Sequence, residues 1–411
     1  MITPKYEKMY EKFIKFYEEN HVNPWHEMTK NQLDYLYFLY INNNNVEDKY
    51  SYYYMMQYII KRLSGKNDSH TSVSFSFNPK LPFIFRVIDN DIYVVGAQDK
   101  EALFTRLVSI NGVDINKIVS EIEETISYGT KEWFEAILVQ QLKNQEVLLS
   151  LPSLRDSISF NFKLVDENNN VMNREYSKYL NYSRKVTYNA LIPKDHKNLY
   201  YETDGDTIIF TYNSCVNSQC ERMKEVMNEL DIKLSSHNYN RIIIDIRCNS
   251  GGNENNNKPI IDLLKKYDGL EIITLTGGLT FSSGRFMLMA LKNLGTLVIG
   301  ERPGTPINCY GNCVRMESKE NKKRMNKGEE PIRPSILHTC SGKYWYFDQD
   351  YQFHGAKTKE EYEAMPNEWK VTDFMEPDIE IKPTLEDYKN GRDPVIEYAI
   401  KEEYNKTNKE R

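Results

Sequence analysis

Two glycine-bearing stretches hold the residue types that acyl-transfer chemistry needs. Arg241 to Gly252, RIIIDIRCNSGG, opens on an apolar run, Ile242 to Ile246, and breaks into a polar turn ending in Gly251 and Gly252. Glycines in such a turn let backbone N–H groups point at an incoming oxygen, which is how an oxyanion site is made. Gly277 to Gly284, GGLTFSSG, repeats the design after the apolar run Leu270 to Leu275, with Thr280, Ser282 and Ser283 in the turn and a helical pattern from Arg285 to Leu294. A serine at a strand-to-helix turn sits where the helix dipole and free N–H groups favour negative charge. Its hydroxyl is a weak nucleophile near neutrality and needs a base. His70, in SGKNDSHTSVSF, stands where a loop meets an alternating strand pattern; by itself a loop histidine is an ordinary polar residue.

The elements that must position these residues alternate. TIIFTYNSC (207–215) reads as a strand, CERMKEVMNELDIKL (220–234) as an amphipathic helix and RIIIDI as the next strand; PIIDLLKKY, EIITLT, FMLMALKNL and TLVIG continue helix, strand, helix, strand. That order implies right-handed crossovers and a largely parallel sheet, with the active site at its strand ends. Ahead of it, residues 4 to about 65 read as helices, with Tyr6, Met9, Tyr10, Phe13, Ile14 and Tyr17 on one apolar face and a second run from Tyr50 to Leu63. Short strands follow from Pro82 to about Val165, including Phe83–Val87 and Ile92–Val95, with Ile110, Asn111 and Gly112 at a turn. Asp166 to Lys197 is polar, with Val171 and Tyr188 to Ile192 as its few apolar anchors, and reads as a linker with a short strand.

These motifs resemble the serine peptidases that comprise the C-terminal processing (tail-specific) peptidases and the tricorn core peptidases. DIRCNSGG is similar to that family's Asp-x-Arg-x-Asn-x-Gly-Gly loop and TFSSG to its Thr-x-Ser-x-Gly nucleophile turn; GERPGTPINCYGN (300–312) and EPDIEIKP (376–383) extend the likeness. The resemblance implies an α/β fold: a ClpP/crotonase-like core with a largely parallel sheet, an N-terminal helical region and a PDZ-like insert. Residues 1–80 would form a helical cap ending in the His70 loop, 81–165 the PDZ-like module, 166–197 a linker and 198–400 the catalytic core. A PDZ-like module would bind an extended peptide at a sheet edge; its carboxylate-binding loop is not legible here, and a purely structural insert is the equal alternative. Register with the nucleophile turn implies Ser282 as the catalytic serine, leaving the N–H groups of Gly251 and Ser283 as oxyanion donors. The tricorn-like branch carries its base in a similar Asp-x-His-Thr setting, which implies His70, and a serine precedes the base in tricorn as Ser69 does here.

The departures matter as much. The processing-peptidase branch has a lysine base where this chain has GERPGTPIN, with no lysine between Glu301 and Asn308, leaving only Lys258 or Lys292 to substitute from elsewhere. The acid expected to orient the histidine lies within NEWKVTDFMEPD, where Glu368, Asp373 and Glu376 are all open. Arg285 stands where the family more often has glutamate; it is either a surface substitution or a cation for a substrate carboxylate. Cys309, Cys313, His338 and Cys340 are read as ordinary thiols and a histidine, with a structural zinc as the rival. The expected activity is peptide-bond hydrolysis on a peptide or protein substrate, with no metal and no cofactor. A catalytically inactive peptide-binding relative and a crotonase-type acyl-CoA enzyme are the rivals; no basic phosphate-binding cluster supports the second.

Composition narrows the partners. With 411 residues, 53 basic against 59 acidic and a net charge of −6, the chain offers no basic stripe for nucleic acid or an anionic membrane. MITPKYEKMYEKFIKFYEEN carries charges throughout and lacks the apolar segment of a secretory signal, so a cytoplasmic location with six reduced cysteines is expected.

Overall fold

Ile242, Ile243 and Ile244 are each no more than 1% exposed, and their strand, Arg241–Asp245, runs through the middle of a six-stranded sheet. In this computed structural model, which describes residues 1–182, 186, 188–189, 198–236, 238–330, 332, 334–348, 352–371 and 373–401, the strand order is Ile379–Glu380, Leu297–Gly300, Glu271–Thr276, Arg241–Asp245, Thr207–Tyr212 and Leu199–Asp204. Neighbours pair in parallel except for the outer hairpin, Leu199–Asp204 with Thr207–Tyr212. Alternate side chains of the central strands point to opposite faces, so both faces need cover. Ile242 and Ile244 meet the helices Cys220–Ser235, Lys258–Leu264 and Ser283–Lys292; Ile243, Ile273, Leu275 and Ile299 meet Val395 and Ala399 of Pro394–Lys401. The fold is mixed α/β with several sheets.

A second, antiparallel sheet orders Ser72–Phe75, Ile336–Phe347 and Cys309–Arg315, with Phe353–Ala356 also paired to the long strand. The N-terminal helices Pro4–Asn20 and Lys49–Ser64 pack on it, burying Phe13, Tyr17, Tyr52, Met55 and Ile59 against Val73, Ile336 and Cys340. Between them runs a third helix of the region expected as helical, Lys30–Asn43, capped by Thr29. Leu33 is its one fully buried residue, and Leu36, Tyr37, Tyr40 and Ile41 pack beside it against the same core.

The stretch expected as an inserted module carries a third, antiparallel sheet, Phe83–Ile88, Asp91–Ala97, Arg106–Ile110, Ser159–Val165 and Val171–Ser177, whose core also takes in Tyr54 of the helix Lys49–Ser64. The last of these strands lies in the stretch expected as a linker. Asp166 Oδ1 accepts from the N–H groups of Asn168 and Asn170, closing a tight turn that lays Val171–Ser177 along Ser159–Val165 over seven residue pairs. Tyr188–Asn189 pairs with Asp91–Ala97, whereas residues 190–197, where the expected short strand ended, lie outside the described residues. No helix among the described residues is long and apolar enough to cross a membrane.

Candidate active site

Parallel strands bring their carboxyl ends to one edge, so the turns after Asp245 and Thr276 meet. Ile246 N–H donates to Leu275 O at 3.0 Å and Phe281 N–H to Asn249 O at 2.9 Å. Thr280 locks the second turn from inside: its Oγ1 accepts from Gly277 N–H (3.1 Å) and donates to Ile246 O (2.9 Å). The chain then reverses into the helix Ser283–Lys292 through Ser282, whose φ of 52° and ψ of −119° lie where a side-chain-bearing residue is strained. Gly251 lets this happen. At φ 96°, a Cβ there would fall 2.6 Å from Ser282 Cβ and 2.7 Å from Ser283 N.

His70 arrives from the other sheet, at the entry to Ser72–Phe75, and its Nε2 lies 3.1 Å from Ser282 Oγ. Tyr310 contributes a backbone hydrogen bond to the imidazole. With Nε2 at the hydroxyl, Nδ1 is the nitrogen left for the Tyr310 carbonyl, so these partners assign the proton to Nδ1 and leave a lone pair on Nε2 facing Ser282. The Phe281 ring stacks on the imidazole, centroids 4.7 Å apart. Burial pushes the His70 pKa down to about 4, with Arg285 adding to the effect, against the opposing pull of Asp68 and the Tyr310 carbonyl. The ring is therefore neutral at neutral pH and free to accept a proton.

Ser283 is turned away from His70: its Oγ donates to Gly252 O at 2.7 Å. Its backbone N–H, in the first turn of the helix, has no acceptor among the described residues. Gly251 N–H, the other expected oxyanion donor, instead donates to Asn249 Oδ1 at 3.0 Å. Ser69 Oγ donates to Ser127 O at 3.1 Å.

The open acids are not on the histidine. Glu376 pairs with Arg302, the Asp373 backbone carbonyl accepts from Ile307 N–H, and Glu368 is exposed in the turn Asn367–Lys370. The buried carboxylate nearest in sequence to the base is Asp68, the first residue of the Asp-x-His-Thr run. It accepts from Thr71 N–H (3.2 Å) and Ser341 Oγ (2.5 Å) and contacts His21 Nε2 at 3.2 Å. Neither substitute lysine is paired with the nucleophile: Lys258 is exposed and its ammonium pairs with Asp262, while Lys292 pairs with Asp378 at the helix end opposite Ser282, a span of ~15 Å at 1.5 Å per residue.

Arg285 is neither a surface residue nor a free cation. It is 2% exposed, with Nη1 on Pro306 O (3.2 Å) and Cys309 Sγ (2.7 Å) and its guanidinium over the Phe286 ring. The residues of the zinc alternative have other surroundings: Cys309 holds Arg285, His338 Nε2 lies 3.0 Å from the Tyr52 hydroxyl and Cys313 is exposed. No metal-holding group of His, Cys, Asp or Glu occurs among the described residues. In the glycine loop, Arg247 forks onto Asp245 and Asp393 with all three side chains largely buried, which anchors the turn to the C-terminal helix.

Neither a model of a known family nor a curated protein matches the chain. Solved structures do. Mature CPAF complexed with lactacystin aligns over 95% of this chain and 97% of its own, at 12% identity and a TM-score of 0.59. A CPAF mutant aligns over 93% and 94%, at 12% identity and a TM-score of 0.60. These likenesses establish a shared fold along almost the whole chain.

Proposed function

We propose that the chain is a serine-type peptidase of the tail-specific kind, hydrolysing peptide or protein substrates with Ser282 as nucleophile and His70 as base. The 3.1 Å approach of His70 Nε2 to Ser282 Oγ carries the proposal. Ser282 Oγ attacks the scissile carbonyl carbon while its proton passes to Nε2, and the resulting oxyanion faces the Ser283 N–H at the helix start. Collapse breaks the C–N bond as Nε2 returns the proton to the leaving amine. Water, deprotonated by the same nitrogen, then attacks the acyl-serine ester; the C–Oγ bond breaks, Nε2 returns that proton to Ser282 Oγ and the carboxyl product leaves. Gly251 supplies a second donor once its N–H leaves Asn249 Oδ1. The Tyr310 carbonyl orients the histidine in place of a carboxylate.

The histidine base and the missing lysine favour the tricorn-like branch, and the parallel core sheet with an inserted antiparallel module is compatible with a ClpP/crotonase-like core and a PDZ-like insert. The positive φ of Ser282, a backbone strain of about 1–3 kcal/mol, is of the kind stored at functional turns and supports an active nucleophile. A fluorophosphonate serine probe tests the proposal. It should label the wild-type chain and the Ser283→Ala variant and fail to label Ser282→Ala, with turnover of a peptide mixture following the same pattern. Labelling that persists in Ser282→Ala overturns it.

A further inference from the structure

Trp133, on the inserted module, stacks on Phe281 with ring centroids 4.2 Å apart and planes 8° apart, and Phe281 in turn stacks on His70. We infer that Trp133 is a positioning residue for the catalytic histidine, and that the inserted module completes the active site rather than merely adjoining it. The inference rests on the proposed serine and histidine chemistry.

Three independent contacts converge on this. First, Phe281 immediately precedes Ser282, so the ring held between Trp133 and His70 also belongs to the strained turn that presents the nucleophile; Trp133 is 9% exposed and Phe281 8%. Second, the Ser127 carbonyl, in the loop before the helix Lys131–Gln141, accepts from the Trp133 indole Nε1–H at 3.2 Å and from Ser69 Oγ at 3.1 Å. One module carbonyl thus holds the tryptophan and the residue next to the base. Third, the core is shaped to receive this helix start. A Cβ on Gly304 would lie 2.6 Å from Trp133 Cε3, and one on Gly278 would lie 2.4 Å from Glu132 O, while Glu132 Oε1 reaches Lys382 at 3.1 Å.

The physical consequence concerns both geometry and water. In its plane the His70 ring is fixed by Ser282 and by the Tyr310 carbonyl; its face is fixed by Phe281, and Phe281 is backed by a residue from another module. Removing the backing ring lets Phe281 move, frees the imidazole to tilt and admits water to its face. A misplacement of about 1 Å at a reacting group costs on the order of a hundredfold in rate. Hydration of the ring also lowers the penalty for protonating it; the charged groups that act on it are Asp68, which favours the protonated form, and Arg285, which opposes it, and Cys313 Sγ lies near its backbone carbonyl.

The test uses the full chain with Trp133→Leu and Trp133→Phe, read by peptide turnover across pH and by NMR titration of labelled histidine rings, with His70 assigned from the His70→Ala spectrum. Trp133→Leu should lower kcat by about ten- to a hundredfold with KM within about threefold, and should move the His70 titration up toward the ordinary histidine value. Trp133→Phe keeps a stacking ring and should restore kcat to within about threefold of the wild type. Unchanged kcat and an unchanged His70 titration in a folded Trp133→Leu protein overturn the inference, as does an equal loss in both variants with the titration unmoved. If the wild-type chain neither cleaves peptides nor takes up the serine probe, the peptidase proposal fails instead, and the NMR titration still decides whether Trp133 controls His70.

Discussion

Asp68 Oδ2 lies 3.2 Å from His21 Nε2, with neither side chain exposed to solvent, two residues ahead of the proposed base. His21 Nδ1 accepts from Asn23 N–H, so Nε2 carries the proton and donates to the carboxylate. Burial alone would push the Asp68 pKa up; the hydrogen bond from His21, the electrostatic influence of the His21 and His26 rings and the Ser341 hydroxyl outweigh it and hold the carboxyl well below the usual range. Through this one carboxylate the loop after the first helix, the His70 loop and the strand Ile336–Phe347 are tied together.

Asp68→Ala should therefore be among the most damaging single changes. Removing the carboxylate leaves three buried donors, His21 Nε2–H, Thr71 N–H and the Ser341 hydroxyl, without their acceptor, at about 1–3 kcal/mol for each such group. Urea unfolding of the variant at neutral pH measures this, and a loss below about 1 kcal/mol would contradict the role assigned to Asp68.

The pH dependence of kcat/KM should show its acid limb well below the ordinary histidine range. Because burial pushes His70 down to about 4, the base is already deprotonated at pH 6 and activity should fall only as pH approaches that value. A midpoint at or above about 6.5 would mean that the imidazole is solvated or paired with a carboxylate in the working enzyme.

Stability should show a histidine signature of its own. Burial pushes His338 down to about 4, below the value of about 6.5 for a free histidine, so between these pH values the unfolded chain binds a proton that the folded chain refuses. The stabilisation is complete above pH 6.5 and is lost as pH falls to about 4, by as much as ~3 kcal/mol. Replacing His338 with Gln, which keeps a hydrogen-bonding group near the Tyr52 hydroxyl, should make the decline of Tm over this window shallower. An unaltered slope would show that His338 does not carry the effect.

Gly251→Ala should silence the nucleophile from a neighbouring loop. The added Cβ would collide with Ser282 Cβ at 2.6 Å, on a residue whose φ of 96° already disfavours a side chain. Fluorophosphonate labelling should slow by about a hundredfold or more. A labelling rate near that of the wild type would show that the two turns are more loosely apposed than this geometry states.

What the chain declares locally is its set of strands and turns around the site. RIIIDI is a run of β-branched residues ended by a glycine pair, EIITLT ends at GGLTFSSG, and the structure puts parallel strands and their meeting turns there, because the conformational preference of such runs is carried by a few consecutive residues. The strand Val171–Ser177 falls in a stretch that reads as a linker because its edge position leaves it mostly polar. Pairings between distant segments belong to the tertiary structure alone. Among seven histidines, nothing in spacing selects the one that lies 212 positions from Ser282 and 3.1 Å from its hydroxyl; without the motif resemblance His70 is an ordinary loop residue. Asp68 with His21, Arg285 with Cys309 and Trp133 with Phe281 are of the same kind. Short-range propensity writes the elements into adjacent residues, but which side chains share a buried space depends on how separate sheets and modules pack, and that is decided only when the whole chain has folded.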